Sequence, residues 1–432
     1  MVKILPRKLM LASIAVVAVS VAVLSGCSGA GQTSSQSGKL TVTYMKSGTY
    51  DTAAKSLVPA FKKKTGTDVT VNAFPYAALQ QNNTNAVIAG SCQYNVVSGS
   101  YYLAGIYNHF KNLDSLAQKS GIADQLIPGL WDHSEFNNGH HIGVPYGPDA
   151  YGLVYRTDLF TEAGLSWPTT WPDLLTDLKV LKDKYGSQGI SPITFAGGAP
   201  EQLPALFFAT YDGYFIDKAG HYALDPAKAA KAMDFAQQLL ALAGPNTNST
   251  SIDAANANFV NGKAAVMYGW PSFVQTMASD PKQSQVVGKW ALGNDPQGGM
   301  VWLSLWQSYM TDCTSNSDAA WNWMTTFSSP ATDRKLFVDN GVNPEFKSTY
   351  SDPTLAKQYA HYFPGLQSNL ARAVNPPLSG ESQDFLASTL GALFTENGTP
   401  ADAVSKINAK WASMTVPKPL LAEGKQNGLV EK

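Results

Sequence analysis

LTVTYM at residues 40–45 and DVTVNAF at residues 68–74 are two β-rich segments in which apolar and polar side chains alternate, as they do in strands with one buried face. The segment between them ends at Gly66, which suits a helix C-terminus, and has residues at helical spacing: Leu57, Ala60, Phe61 and Lys64. A strand, a helix and a strand in so short a stretch predict a βαβ unit with parallel strands and a right-handed crossover. The predicted fold class is therefore α/β.

The alternation of strands and helices continues along the chain. Residues 94–98 predict a further strand, whereas Pro59 implies a kink or a late start for the first helix. Thr170 with Asp173 forms a capping-box-like helix start, and Asp225 before a proline is typical of a helix N-cap. No long low-complexity linker divides this part of the chain, so we expect two domains joined by several crossings.

The N-terminus has the layout of a secretory signal. Three basic residues precede an uncharged apolar run at residues 9–24, which is shorter than the ~20 residues of a membrane span. LSGC at residues 24–27 resembles the bacterial lipobox, whose cysteine is diacylated and becomes the new N-terminus. We therefore expect a signal peptide at residues 1–26, lipidation of Cys27 and a flexible tether at residues 27–38. The alternatives are an ordinary signal peptide with a chance cysteine, or an uncleaved anchor.

The composition favours a neutral surface outside the cell. Of the 432 residues, 44% are hydrophobic and only 15% are charged, compared with about 25% in an average soluble protein. Without its leader, the chain has a length typical of two domains. The formal net charge is −1 and the only run of basic residues is Lys62-Lys63-Lys64, so the chain lacks the electrostatic footprint of a nucleic-acid-binding protein.

Two cysteines remain once Cys27 is lipidated, Cys92 and Cys313. Exported proteins meet an oxidising environment, so these residues either form one disulfide or stay as two separate buried thiols. The sequence alone leaves both states open.

Several segments together resemble the family 1 extracellular solute-binding proteins, which serve ABC importers of sugars and oligosaccharides. They are VPYG at residues 144–147, YGLVYRTDLF at residues 151–160, FVNGKAAVMYGWP at residues 259–271 and GVNP at residues 341–344. No single motif is decisive, but their order and spacing are fairly specific and extend over nearly all of the mature chain.

The resemblance implies a two-lobed periplasmic-binding-protein-like fold of the class II type, with a hinge and a ligand cleft between the lobes. On this model lobe one takes residues 39–147 and 303–350, and lobe two takes residues 148–302 and 351–432. Both cysteines then fall in lobe one, which favours a disulfide between them. The implied partners are a carbohydrate ligand and the integral-membrane permease subunits of an ABC importer.

A site that holds and releases a sugar needs flat aromatic rings for its C–H faces and polar side chains for its hydroxyls. Trp302 and Trp306 lie four apart on a predicted strand and point to the same face, either to the cleft or to the core. In the family, the tryptophan equivalent to Trp270 often contacts sugar. The candidate ligand contacts, each of which has an ordinary core or turn role as its alternative, are Tyr50, Asp51, Tyr76, Ser100, Tyr101, Tyr146, Asp149, Trp270, Trp302 and Trp306.

These expectations combine into one function, a non-enzymatic lipoprotein at the extracytoplasmic face of the cell membrane that captures a sugar for an importer. The HExxH, GxSxG, phosphate-loop and EF-hand motifs do not occur, and we predict no catalytic residue, cofactor, metal site or nucleic-acid partner. The alternatives are the same fold with a non-sugar solute, a secreted carbohydrate-active enzyme, and a sensor that passes its ligand to a membrane receptor.

Overall fold

The computed structural model describes residues 38–132, 136–244, 246–396 and 398–432, without the side chains of Tyr101 and Phe136. The predicted signal peptide, the lipidation of Cys27 and the tether up to its last residue lie outside the described residues. No helix in the described part of the chain has the length and apolar character needed to cross a membrane.

Strands occur along the chain from residue 39 to residue 374. They are β1 (Lys39–Met45), β2 (Asp68–Phe74), β3 (Val96–Gly99), β4 (Phe136–Asn137), β5 (His140–His141), β6 (Gly143–Ala150), β7 (Gly152–Arg156), β8 (Ser191–Thr194), β9 (Ala264–Gly269), β10 (Trp290–Leu292), β11 (Val301–Met310) and β12 (Ala373–Val374).

Helices connect these strands and form the C-terminal part of the chain. They are α1 (Tyr50–Thr65), α2 (Tyr76–Ile88), α3 (Asp114–Ser120), α4 (Ile122–Gln125), α5 (Thr157–Glu162), α6 (Trp171–Tyr185), α7 (Leu203–Phe208), α8 (Pro226–Leu240), α9 (Ile252–Val260), α10 (Pro271–Ser279), α11 (Ser317–Phe327), α12 (Pro330–Asn340), α13 (Lys347–Tyr350), α14 (Pro353–Gln358), α15 (Phe363–Leu370), α16 (Gly380–Thr395), α17 (Pro400–Trp411) and α18 (Lys418–Gln426). Short 3₁₀ helices occupy Tyr101–His109, Gly186–Gln188, Pro200–Gln202 and Thr247–Ser249.

The first sheet has the strand order β12-β11-β3-β1-β2, with β6 also paired to β11. β1 and β2 are parallel from Lys39–Asp68 to Met45–Phe74, which confirms the predicted βαβ unit. α1 ends at Gly66 in a left-handed conformation with φ of 73°, as expected of a glycine stop. Of the two alternatives that Pro59 implied, a late start is wrong, because α1 begins at Tyr50 and continues through Pro59.

The second sheet has the order β10-β7-β9-β8. β7 runs antiparallel to β9, and β8 runs parallel to β9. α6 begins at the predicted cap, since the N–H of Asp173 donates to the Thr170 hydroxyl at 3.3 Å. The Asp225 carboxylate caps α8 by accepting from the N–H of Lys228 at 2.9 Å.

The chain passes between the two sheets where strands of one sheet follow strands of the other. β6 belongs to the first sheet and is followed, after Tyr151 alone, by β7 of the second. β10 of the second sheet is followed by β11, whose first two residues pair with β12. The molecule is therefore a two-lobed α/β protein with a hinge, and the crossings lie close together at β6 and β11.

Candidate functional site

A cavity of about 1000 Å³ opens between the two sheets. On one side it is lined by residues that follow β1, β2 and β3, and on the other by residues that follow β8 and β9. These strands are parallel within their own sheets, so their carboxyl ends meet at one edge, which is where open α/β sheets bind ligands. Residues of β6 and β11 complete the wall between the two sides.

One wall of the cavity is an aromatic group that we call the Trp306 cluster: Trp306, Tyr50, Tyr76 and Tyr102. The Trp306 ring centroid lies 5.5 Å from that of Tyr50 and 6.3 Å from those of Tyr76 and Tyr102. All four side chains line the cavity. Each tyrosine follows a different strand of the first sheet, so the register of that sheet brings them together.

The opposite wall contains a second group, the Trp302 cluster: Trp302, Trp270, Tyr151 and Phe208. The Trp302 ring centroid lies 5.2 Å from Trp270, 5.8 Å from Tyr151 and 5.5 Å from Phe208. Of these, Trp302 and Trp270 line the cavity. The indole N–H of Trp270 donates to Oε1 of Gln202 at 2.9 Å, which fixes the orientation of the half-buried Trp270 ring.

Trp302 and Trp306 both line the cavity, which agrees with the shared face that their spacing of four residues on one strand predicts. This holds although the pairing of β11 with β6 shifts register between Leu305 and Gln307. The two tryptophans are nonetheless 4% and 5% exposed, so each is packed in its cluster and presents only an edge or part of a face to the cavity.

Asp149 lines the cavity but is only 3% exposed. Oδ2 accepts from the Ser272 N–H at 3.2 Å and from its hydroxyl at 2.5 Å. Oδ1 accepts from Nδ2 of Asn343 and from the N–H of Ala150, both at 3.0 Å. Burial raises the pKa of Asp149 to about 7, although these hydrogen bonds favour the ionised form.

Two of the candidate contacts do not line the cavity. The buried Asp51 carboxylate accepts from the N–H groups of Ser47 and Gly48 at 3.2 and 3.0 Å and from Lys55 at 2.9 Å. It therefore stabilises the loop between β1 and α1, and we correct its assignment from ligand contact to support of this loop.

Tyr146 is the second correction. Its ring is 1% exposed and packs against Tyr44, Tyr50 and Phe327 with centroid distances of 5.6, 5.5 and 4.8 Å. Its hydroxyl shares a hydrogen bond with that of Ser98. Tyr146 therefore packs behind Tyr50 and supports it. The sequence did not reveal this, because a tyrosine at a strand end can face the core as readily as the cleft.

The remaining candidate on the β3 loop is Ser100, since the side chain of Tyr101 lies outside the described residues. Ser100 lines the cavity and is 3% exposed. Its hydroxyl has no hydrogen-bond partner among the described residues.

Polar residues that the sequence analysis missed supply much of the remaining lining. Ser251 was detectable, because it is the N-cap of α9 and accepts from the N–H of Ala254 at 3.2 Å. The others lie in loops or helices without a motif, apart from Ser304 in β11, and only the fold brings them to the cavity. This group includes Lys46, Thr49, Glu201, Gln202, Ser251, Asp253, Asn256, Ser304, Asn340 and Gln383.

Cys92 and Cys313 are joined in a disulfide, with their Cα atoms 5.7 Å apart. The bridge lies before β3 and after β11, whereas the cavity residues lie after β3 and in the first half of β11. The disulfide therefore links the two strands at the end remote from the cavity. Among the described residues, no group of three or more His, Cys, Asp or Glu side chains is placed to hold a metal ion.

Comparison with known proteins adds an independent line of evidence. The family model described as bacterial extracellular solute-binding protein matches residues 46–333. A probable sugar-binding periplasmic protein of Rhizobium meliloti (strain 1021) is 30% identical over 171 residues, which make up 36% of this chain and 38% of that protein. A probable ABC transporter-binding protein of Deinococcus radiodurans is 24% identical over 294 residues, or 63% of this chain and 69% of that protein.

The fold is also that of solved structures. An ABC transporter solute-binding protein from Agrobacterium radiobacter K84, in complex with ribitol, superposes with a TM-score of 0.77. The alignment covers 87% of this chain and 98% of that chain at 23% sequence identity. This likeness supports the two-lobed architecture.

Proposed function

The chain belongs to the bacterial extracellular solute-binding protein family, and on that premise we propose that it captures a neutral sugar or polyol in the cavity between its lobes. The observation that carries the proposal is the pair of aromatic clusters on one cavity, with polar side chains between them. Rings supply apolar faces for the C–H groups of a sugar, and the polar groups supply directional hydrogen bonds to its hydroxyls.

The proposed ligand contacts are the aromatic and polar side chains that line the cavity at the strand ends. Among the described residues, Lys46 is the only lysine or arginine that lines the cavity. This disfavours an anionic solute, because anion sites draw on several cationic donors. The contacts we propose are Tyr50, Tyr76, Ser100, Tyr102, Gln202, Trp270, Trp302 and Trp306.

We place lobe one at residues 39–147 and 303–350 and lobe two at residues 148–302 and 351–432. The sheet pairings support these bounds, because β1–β3 and most of β11 share one sheet and β7–β10 share the other. The contacts of α11 and α12 with α1, and of α16 and α17 with α7 and α8, support them too. A solute that touches both lobes stabilises the closed state over the open one.

The proposed cellular role is delivery of the solute to the membrane permease of an ABC importer. The relative from Deinococcus radiodurans, a probable ABC transporter-binding protein, supports an ABC partner. The LSGC sequence ending at Cys27 supports a lipid anchor at the extracytoplasmic face. Intact-mass analysis of the membrane-extracted protein tests the anchor, and a mature chain without lipid would contradict it.

Solute capture is tested by calorimetry and thermal shift against monosaccharides, oligosaccharides and acyclic polyols. Because Trp270, Trp302 and Trp306 line the cavity, a bound solute should also change the intrinsic fluorescence. We expect at least one neutral sugar or polyol to bind, with compaction in solution scattering and no change in its mass after incubation. Appearance of a cleaved product would support a carbohydrate-active enzyme, and failure of every neutral solute would refute the proposal.

A further inference from the structure

A buried carboxylate lies where several parts of the molecule meet. Asp149 belongs to β6, immediately before the chain passes to the second sheet, and lies opposite Ser304 of β11. Its two oxygens accept from Ser272 on α10 and Asn343 beyond α12. The Asn343 side chain in turn accepts from the Tyr362 hydroxyl at 2.8 Å. One carboxylate therefore ties a crossing strand to a cavity helix and to the segment that follows α12.

The bond to Ser272 caps a helix that has no cap of its own. Ser272 is the second residue of α10, and the N-cap residue Trp270 makes no side-chain cap hydrogen bond. The first N–H groups of a helix need an acceptor, and a negative charge there also interacts favourably with the helix dipole. Asp149 supplies both the acceptor and the negative charge, from a strand more than a hundred residues earlier in the chain.

The capped helix is a wall of the cavity. Trp270, Phe273, Thr276 and Met277 all line it. The segment that holds Asn343 packs closely on the same helix, because a Cβ at Gly341 would lie only 2.8 Å from Cγ2 of Thr276. The carboxylate network is therefore in direct contact with the helix that forms this wall of the cavity.

We propose that Asp149 is a positioning residue whose ionised carboxylate holds the α10 wall and Trp270 against the interlobe crossing, so that solute affinity follows its ionisation. This inference rests on the proposed function of the cavity. The carboxylate acts through α10, because its own oxygens are already occupied by four protein donors.

The donor set explains why ionisation matters. The N–H groups of Ser272 and Ala150 and the amide Nδ2 of Asn343 can only donate. Protonation can reverse only the bond to the Ser272 hydroxyl, which can accept as well as donate, and it weakens the acceptor on which the three N–H donors depend. Burial raises the pKa of Asp149 to about 7, so the change falls in the neutral pH range.

Other titratable groups face the same region. Burial raises the pKa values of the Tyr50, Tyr350 and Tyr362 phenols well above 10, and they stay neutral here. Burial also raises the pKa values of Asp333 and Glu345, in α12 and the segment after it. The Asp333 carboxylate accepts from the Glu345 N–H and the Thr349 hydroxyl, not from α10, so this pair of carboxyls requires a control.

The signs of the two pH effects are opposite. Because folding raises the pKa of Asp149, its ionised form costs stability, and this cost disappears as the pH falls from about 7 toward 4. Affinity should instead weaken as the pH falls through about 7. A loss of affinity on acidification therefore cannot come from unfolding linked to Asp149.

The experiment measures the Kd of the best-binding neutral solute, with ribitol as first probe, and the tryptophan fluorescence of the ligand-free protein across the neutral range. In the wild type we expect Kd to rise about tenfold on acidification, with a matching transition in ligand-free fluorescence. Asp149→Asn should bind about tenfold more weakly at high pH and lose both transitions. Asp333→Asn, the matched buried-carboxyl control, should retain them.

Ser272→Ala provides a second test that does not remove the carboxyl group. Deleting a hydroxyl that donates to the ionised form should move the midpoint of both transitions to higher pH, whereas a purely structural role would weaken binding without moving the midpoint. This variant decides the question if Asp149→Asn fails to fold. Trp270→Phe should abolish the fluorescence transition if it originates in the α10 wall.

The outcomes separate this inference from the proposed function. A pH-independent Kd with no ligand-free transition overturns the inference and leaves solute capture intact. A ligand-free transition that depends on Asp149, without binding of any neutral solute, supports the positioning role and overturns the proposed ligand class. Retention of both transitions in Asp149→Asn also overturns the inference.

Discussion

The Trp306 cluster and the Trp302 cluster face one cavity but are built in different ways. Trp306 packs against tyrosines that follow successive strands of a single sheet. A disulfide joins two strands of that sheet at the far end. In the Trp302 cluster, Trp302 packs against Tyr151 between β6 and β7, Phe208 of α7 and Trp270 at the start of α10. The geometry of this cluster depends on the Asp149 cap of α10.

This difference indicates a division of roles between the two walls. The Trp306 wall is fixed by strand register, so we expect its rings to keep their places whether or not a solute is bound. The Trp302 wall depends on tertiary hydrogen bonds from a crossing strand, so it can respond to the state of the hinge. The first wall should therefore contribute mainly to stability and shape, and the second mainly to affinity.

We expect the greatest loss of stability from a substitution in the Trp306 wall. Trp306→Ala removes a ring that is 5% exposed, and we expect the free energy of unfolding to fall by about 3–5 kcal/mol together with weaker solute binding. Chemical denaturation and calorimetry measure the two quantities. Trp323→Ala is the matched control, because Trp323 is fully buried in the same lobe away from the cavity, and it should lower stability alone.

A substitution in the Trp302 wall should have a smaller effect, and that effect should be on the binding free energy. Trp270 is only half-buried, so Trp270→Ala should cost about 2 kcal/mol of binding free energy, roughly thirtyfold in Kd, with little change in the ligand-free melting temperature. Trp321→Ala, a half-buried tryptophan on α11, should leave affinity unchanged.

The reverse pattern of substitution effects would contradict this division of roles between the two walls. A large loss of ligand-free stability in Trp270→Ala with intact binding would make Trp270 a core residue. A stable Trp306→Ala protein would show that the first wall is not held by its own packing.

Local patterns in the sequence were sufficient for the βαβ unit, for the caps at Thr170 and Asp225, and for the shared face of Trp302 and Trp306. Each of these depends on residues a few positions apart. Asp51 and Tyr146 were placed wrongly, because a loop aspartate or a strand-end tyrosine is compatible with either the cavity or its support. Gln202 and Gln383 were missed, because they lie far from any motif.

The α/β class and the family could be predicted from the sequence, since periodicity, caps and ordered motifs are properties of the chain. The sequence also identified most of the aromatic residues from which we propose a sugar site is built, but not Tyr102. Which of these residues face the cavity depends on the fold, because neighbours from distant segments pack against one side of each ring. The same reason applies to Asp149, whose role depends on donors more than a hundred residues away along the chain.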